Sequence, residues 1–404
     1  MSVQNQFICG LDNMGNTCYF NSAIQILVAS DKLVKYFTNN SDDDDTYDYD
    51  IKRIYKDEFE RQKINITDIA KIEEYLEMYL KNMISFNFYN LLLSMKTSNN
   101  QRPNNLRRVV ANKMAKNNDQ FEQHGQNDSQ ECLMHIIDFM HEEIKYDIDV
   151  NHSKLSLEQK NLQKKFRILT AIQMNKEIPN EIKRNELRKY LNYTKDIIID
   201  SVYIQYIEYI KRTSKKNYSI MTKLFTHYTL SSITCEECGN NSFNFDMHNT
   251  LNFYPSSNCS IYTLLEDEFK KSINLCDNNK YECDYCGKKT NAIKQTMLWK
   301  LNDYLLIAFN RFTNTEVSYP IEGLNMSQFI SNYASNNNYV YDLYGAILHF
   351  GSKRSGHYVS ITKNSYDENW YLYDDASITR IPINEIHNIC SKTNTYVLAY
   401  KLVS

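Results

Sequence analysis

The first clear periodicity follows Cys18: Phe20, Ile24, Leu27 and Val28 recur at helical spacing, which predicts a helix with one apolar face and Cys18 in its first turn. A second pattern runs through QNDSQECLMHIIDFMHEEI, where Leu133, Ile136, Ile137, Met140 and Ile144 share a face. Asp128 with Glu131 resembles a capping box at its start, and Gln126 falls on the entering loop. Between the two, the tract SDDDDTYDYD at 41–50 interrupts any packing pattern and predicts a solvated loop. From about 150 to 215, runs such as LEQKNLQKKFRIL and DIIIDSVYIQYIEYIKR predict a helical insertion. A solvated excursion is the plainer reading of it, and a partner surface the alternative.

Beyond residue 220 the period changes to two. Alternation in YDLYGAILHF and HYVSIT, with Tyr, Ser, Thr, Val and Ile increasing, predicts strands. An α-rich first half ahead of a β-rich second half favours an α+β fold over a regularly alternating one.

Composition narrows the class. The 404 residues are 42% hydrophobic, ample for a core, and 46 basic against 49 acidic residues leave a net charge of −3, which calls for neither nucleic acid nor an anionic membrane. No signal peptide and no apolar stretch near the ~20 residues of a membrane span are present, so a soluble, intracellular, reducing location (cytoplasmic or nuclear) is expected. Ten cysteines in so long a chain are too sparse for a disulfide scaffold and read as reduced thiols, metal ligands or a nucleophile.

Four of them form two knuckles, Cys235 and Cys238 in CEECG and Cys283 and Cys286 in CDYCG. Two such pairs suit one tetrahedral zinc ion clipping together the ends of two β-hairpins, and each trailing glycine, Gly239 and Gly287, lets the backbone turn through positive φ beside sulfur. With all four positions filled by thiolate the ion would be structural. A redox role fits less well, because neither pair opens a helix after a strand.

The segment SGHYVSITKNSYDENWYLYDD, residues 355–375, reads as a hairpin. Pairing Thr362 with Trp370 sets His357 opposite Asp375 with Asp374 beside it. Gly356 removes side-chain bulk where a substrate backbone could approach. Alone, a histidine beside an aspartate is more often a surface pair, and a lone cysteine at a helix start more often a buried thiol. Together they change the odds: a helix N-terminus and a nearby imidazolium favour thiolate, and a carboxylate on the far ring nitrogen fixes the tautomer.

The combination resembles the ubiquitin-specific protease family of papain-like deubiquitinases. GLDNMGNTCYFNS is similar to its cysteine box, QNDSQE to its Gln-x-Asp-x-x-Glu segment, the paired CxxC motifs to its zinc-bearing fingers, LWKLNDYLLIAFNRF to the strand before its palm, and YGAILHFGSKRSGHYVSI with WYLYDD to its histidine box. The likeness runs from residue 10 to 402 and leaves no room for an N-terminal adaptor domain within the chain.

The resemblance implies an α+β, papain-like cysteine peptidase as one catalytic domain over 1–404, with a thumb over 1–145, a helical insertion over 146–218, zinc-bearing fingers over 219–300 and a palm over 301–404. It implies Cys18 as nucleophile, His357 as general base and acid, Asp374 as orienting carboxylate and Asn13 as oxyanion donor. Gln126, Asp128, His349 and Asp375 map near the cleft for the ubiquitin tail, with sheet-edge packing the alternative for His349 and a structural role the alternative for Asp375. The implied activity is hydrolysis of the isopeptide or peptide bond at the C-terminal glycine of ubiquitin. Ubiquitin and ubiquitinated proteins are the expected partners, and a monomer with one structural zinc and no catalytic cofactor is the expected form. Asn302 departs from the family pattern, standing where a proline is usual. A ubiquitin-binding pseudoenzyme, a peptidase for another modifier, and an interaction module built on the insertion are the competing readings.

Overall fold

The computed structural model describes residues 7–39, 46–62, 69–117, 125–148, 155–215, 217–310, 315–334, 338–352, 355–390 and 393–403. Helices dominate up to Phe225 and strands after His227, in keeping with the α-then-β order.

An eight-stranded sheet forms the centre. Its strands run in the order Ser377–Ile381, Trp370–Asp374, Ser355–Lys363, Val340–Ser352, Thr395–Leu402, Tyr304–Phe309 and Leu251–Phe253, with Leu324–Asn325 pairing Val340–Ser352 off that path. Both faces are covered. Tyr304, Leu306 and Ala308 point into a core shared with Phe20, Ile24 and Leu27 of the helix Cys18–Val28, while Leu305, Ile307 and Phe309 point into a second core under the helix Ile261–Phe269. A strand buried on both faces reads as a continuous apolar run, as YLLIAF does. Asn302, just before it, donates Nδ2 to the carbonyls of Thr222 and Thr226 and accepts from the Tyr341 hydroxyl. The last bond ends on the Asn302 backbone carbonyl, which a proline would keep; the two Nδ2 bonds a proline could not make.

The helix Cys18–Val28 is buried on every side rather than on one face. Its polar positions are tolerated because they are bonded: Gln25 donates to the Cys9 carbonyl (2.8 Å) and Ser22 to that of Cys18. The helix Ser129–Ile144 is capped by Asp128, which accepts from the N–H groups of Gln130 (2.8 Å) and Glu131 (3.0 Å), but the Glu131 side chain lies toward His135 (3.7 Å) and does not complete the expected capping box.

Two further expectations are corrected. Of the acidic tract, 41–45 lie outside the described residues, but Tyr47–Asp50 open the helix Tyr47–Gln62 rather than a loop. Asp50 is buried there because Arg53, one turn on, pairs with it (2.9 Å) and also donates to the Ile144 carbonyl. The hairpin register differs by one residue: Lys363, not Thr362, faces Trp370, and Asn364 and Asn369 close the turn (2.9 Å) with Glu368 at φ +56°. The core dictates this, since only the observed register puts Val359, Ile361, Trp370 and Leu372 together in the second core. The slip also carries Asp374 onto the face that bears His357.

A four-stranded antiparallel sheet, in the order Asn241–His248, His227–Cys235, Ala292–Lys300 and Ser272–Leu275, carries the first cysteine knuckle at a hairpin end. The second knuckle closes the small hairpin Tyr281–Cys283 and Lys288–Thr290. The insertion forms the helices Leu157–Met174, Asn180–Thr194 and Ile198–Ser214. It is not a solvated excursion: Leu162, Leu169, Tyr190, Ile204 and Ile207 make a core of their own, and Val202 joins Tyr228, Leu230, Phe245 and Trp299 on the four-stranded sheet.

Candidate active site and metal centre

The loop Asn13–Thr17 is shaped by one side chain. Asn13 Oδ1 accepts from the backbone N–H groups of Gly15 (3.0 Å) and Thr17 (3.3 Å), and the turn passes through positive φ at Gly15 (+93°) and Asn16 (+53°). With its oxygen engaged inward, the Asn13 amide turns its NH2 outward and donates to Asp375 Oδ2 at 2.8 Å. The other Asp375 oxygen accepts from Asn21 Nδ2 at 2.7 Å, and its carbonyl accepts from the Leu11 N–H at 2.9 Å. Asp375 is therefore a tie between the loop, the first turn of the helix and the sheet edge. Its place in a left-handed turn (φ +52°) turns it away from the strand that ends at Asp374.

Cys18 opens the helix and is only 4% exposed. The helix packs against Ser355–Lys363, and the Tyr358 backbone N–H reaches the thiol. Burial pushes the thiol pKa up and the Asp375 charge adds to that; N–H groups of Tyr358, Tyr19 and Cys18 pull the other way without reversing it. The net direction is opposite to the one its helix-start position favours. His357 precedes Tyr358, and its Nε2 lies 2.6 Å from Asp374 Oδ1, which leaves Nδ1 as the ring nitrogen for proton exchange.

The remaining predicted residues gather beside this pair. Gln126 bridges to Gly356, donating Nε2 to its carbonyl (3.0 Å) and accepting its N–H (3.3 Å). Asp128 is engaged internally, one oxygen on the helix N-terminus and the other accepting from the Tyr396 hydroxyl. His349 stacks at 4.6 Å on Tyr358, and burial lowers its pKa, with His357 nearby adding to the effect and Asp128 opposing it. Its ring fills the space a Cβ at Gly356 would need, so that glycine makes room for His349 rather than for substrate. Asn21, three residues after Cys18, escaped the sequence reading; its spacing on the helix was the available signal.

The four cysteines converge. Their sulfurs lie within 4.8 Å of one another, with Cys235 to Cys286 at 3.9 Å and Cys238 to Cys283 at 3.8 Å. A tetrahedron with metal–sulfur bonds of about 2.3 Å has edges of about 3.8 Å. Gly239 (φ +70°) and Gly287 (φ +73°) adopt the left-handed conformation at each knuckle. The cluster can hold a metal ion, and its thiol set and spacing fit zinc.

A buried helix that starts at a cysteine and packs against a strand bearing a histidine paired with an aspartate is the architecture of papain-like thiol hydrolases. The profile of the family described as "Ubiquitin carboxyl-terminal hydrolase" matches residues 9–400, and the chain belongs to that family: it is a cysteine-type ubiquitinyl hydrolase, a deubiquitinase. A probable ubiquitin carboxyl-terminal hydrolase of Acanthamoeba polyphaga mimivirus is 26% identical over 434 aligned residues, 97% of this chain and 90% of that protein. Ubiquitin carboxyl-terminal hydrolase 4 of Pongo abelii is 32% identical over 136 residues, 31% of this chain and 14% of its own length. The SAGA Ubp8/Sgf11/Sus1/Sgf73 module bound to ubiquitin aldehyde shares the fold, with a TM-score of 0.62 and 18% identity over 100% of this chain and 71% of that one. The same module bound to monoubiquitin gives 0.63 at 17% identity, again over 100% and 71%. Among the described residues no helix is long and apolar enough to cross a membrane.

Proposed function

We propose that Cys18, His357, Asp374 and Asn13 together hydrolyse the bond after the C-terminal glycine of ubiquitin. His357 Nδ1 takes the thiol proton, and the Cys18 sulfur attacks the glycine carbonyl. Asp374, on Nε2, holds the ring tautomer and balances the imidazolium. The oxyanion is met by the Cys18 backbone N–H and by the Asn13 amide, whose orientation Asp375 maintains. His357 returns its proton to the departing lysine amine, and the thioester is cleaved when the same histidine activates water. Burial raises the resting thiol pKa, and taking its proton is the task of the imidazole.

The domain reading that supports this places a thumb over 1–145, the insertion over 146–218, fingers over 219–300 and a palm over 301–404. Zinc in the Cys235, Cys238, Cys283 and Cys286 site is structural and takes no part in the reaction. Gln126 and His349 line the path of the ubiquitin tail. The protein acts as a monomer on ubiquitinated proteins. Its free cysteines fit a reducing compartment, cytoplasmic or nuclear.

The observation that carries the reading is the His357–Asp374 pair at 2.6 Å on the strand whose next N–H touches the Cys18 thiol. Ubiquitin bearing a C-terminal propargylamide should add one ubiquitin to the intact mass, and Cys18→Ala should abolish the adduct. Ubiquitin binding without an adduct would instead make the protein a pseudoenzyme, and reaction only with probes built on another modifier would redirect the specificity.

A further inference from the structure

The helix Asn180–Thr194 lays two arginines, one turn apart, on the second cysteine knuckle. Arg188 donates from Nε (3.1 Å) and Nη2 (2.8 Å) to the Tyr285 carbonyl, and its guanidinium carbon lies 5.0 Å from the centre of the Tyr285 ring. Arg184 covers Gly287, where a Cβ would overlap its guanidinium. Tyr285 and Gly287 flank Cys286, so both cations border one metal ligand. The first knuckle is different: Gly239 has the same backbone conformation, but nothing lies within 4 Å of its Cβ position.

The charge explains the pairing. Four thiolates around a divalent ion leave a net charge of about 2−, and Asp284 in the same knuckle adds to it. Among the described residues neither arginine has a carboxylate partner in a salt bridge. Cations and N–H donors around a thiolate site fix its ligands and tune the affinity for the ion.

We infer that the helix Asn180–Thr194 is a charge-balancing clamp on the metal-bearing knuckle, so that docking of the helical segment and occupancy of the four-cysteine site are linked. The inference rests on the metal reading of that site. Linkage is reciprocal: if the docked helix tightens the ion's hold, the ion must tighten the docking. A second anchor keeps the effect local. Tyr206, on the helix Ile198–Ser214, packs against Trp299 (5.2 Å between ring centres), Phe245 (5.3 Å) and Tyr228 (5.7 Å), well within the apolar packing of the four-stranded sheet. Loss of the ion therefore loosens the helix Asn180–Thr194 on the knuckle, while Leu157–Met174, which packs on Ile204 and Ile207 and pairs Arg167 with Glu208, stays with Ile198–Ser214.

The test follows transfer of zinc from the loaded full-length chain to the chromogenic chelator 4-(2-pyridylazo)resorcinol. The double variant Arg184→Ala/Arg188→Ala should release zinc about 10-fold faster or more. Arg184→Lys/Arg188→Lys, which keeps the charge but loses the fork on the Tyr285 carbonyl, should fall between. Arg167→Ala removes a cation of the same segment that pairs with Glu208 (2.8 Å) away from the knuckle, and should release at the wild-type rate. Hydrogen exchange on wild-type protein should show residues 180–194 losing protection on chelation and 157–174 and 198–214 keeping it. A chain that takes up no zinc overturns the metal reading and the clamp with it. Zinc uptake with release within twofold of wild type in the double alanine variant overturns the clamp alone, as does acceleration of equal size in Arg167→Ala.

Discussion

Asp375 acts on the site in two ways that one substitution separates. Its carboxylate accepts from Asn13 at 2.8 Å and Asn21 at 2.7 Å, and its charge raises the pKa of the Cys18 thiol. Asp375→Asn keeps the shape, removes the charge and sets an NH2 against one of two amide donors. A hydrogen bond to a charged group contributes about 1.5–3 kcal/mol, and each 1.36 kcal/mol is tenfold in rate. If misplacement of the Asn13 amide carries that loss into the transition state, kcat on ubiquitin–aminomethylcoumarin falls about 10- to 100-fold, with KM little changed. Iodoacetamide alkylation of Cys18 in the free protein should meanwhile move to lower pH, because a negative charge near the thiol has gone. A structural role alone would not predict gain in thiol acidity with loss of turnover. Turnover within twofold of wild type, or an alkylation profile that stays put or moves to higher pH, refutes the argument.

His227 is fully buried with neither ring nitrogen bonded, and burial, with His248 nearby, holds its pKa at about 3. A folded pKa below the unfolded value of about 6.5 means stability is lost as pH falls from 6.5 toward 3, by about 2 kcal/mol at pH 5; urea unfolding at pH 7.5 and 5.0 should show His227→Leu with a shallower pH dependence, and identical dependence would count against it. Glu143 accepts from the Ile84 and Ser85 N–H groups and the Ser85 hydroxyl, each at 2.8 Å, and pairs with Lys113. Glu143→Ala should cost about 3 kcal/mol in urea unfolding, and a change under 1 kcal/mol would assign the capping no weight. Chelation should lower the melting temperature and one equivalent of zinc should restore it, since an ion that binds only the folded chain stabilises it; a melting curve indifferent to chelation would argue against a structural ion.

What could be read from the sequence was what depends on neighbours along the chain. The helix after Cys18, the Asp128 cap and the two knuckles follow from spacings of a few residues, and each forms where expected. Contacts set by the folded whole were not legible. The hairpin register turned on which apolar residues meet in the second core, and a one-residue error reversed the face assigned to every side chain. Asp50 looked solvated because its partners, Arg53 and the Tyr36 hydroxyl, matter only once the helices pack. Nothing along the helix itself marks Arg184 and Arg188, whose partner is the knuckle about 100 residues later that lies beneath them.

The thiol is where local and tertiary signals oppose each other. Position at a helix start favours thiolate by a fraction of the terminal partial charge, typically about 0.3–1 kcal/mol, whereas burial and the Asp375 carboxylate act in the opposite direction and prevail. A raised thiol pKa lowers the thiolate fraction on which reaction with electrophiles depends. One hydrogen of the Asn13 NH2 is held by Asp375 at 2.8 Å, which leaves the other for the proposed oxyanion. The carboxylate that adds to the rise in the Cys18 pKa therefore also orients the Asn13 amide, the proposed oxyanion donor. On the proposed roles of Cys18 and Asn13, this dual placement links the acidity of the thiol to the loop that carries the donor, with the Asp375 carboxylate also within 4.8 Å of the His357–Asp374 pair.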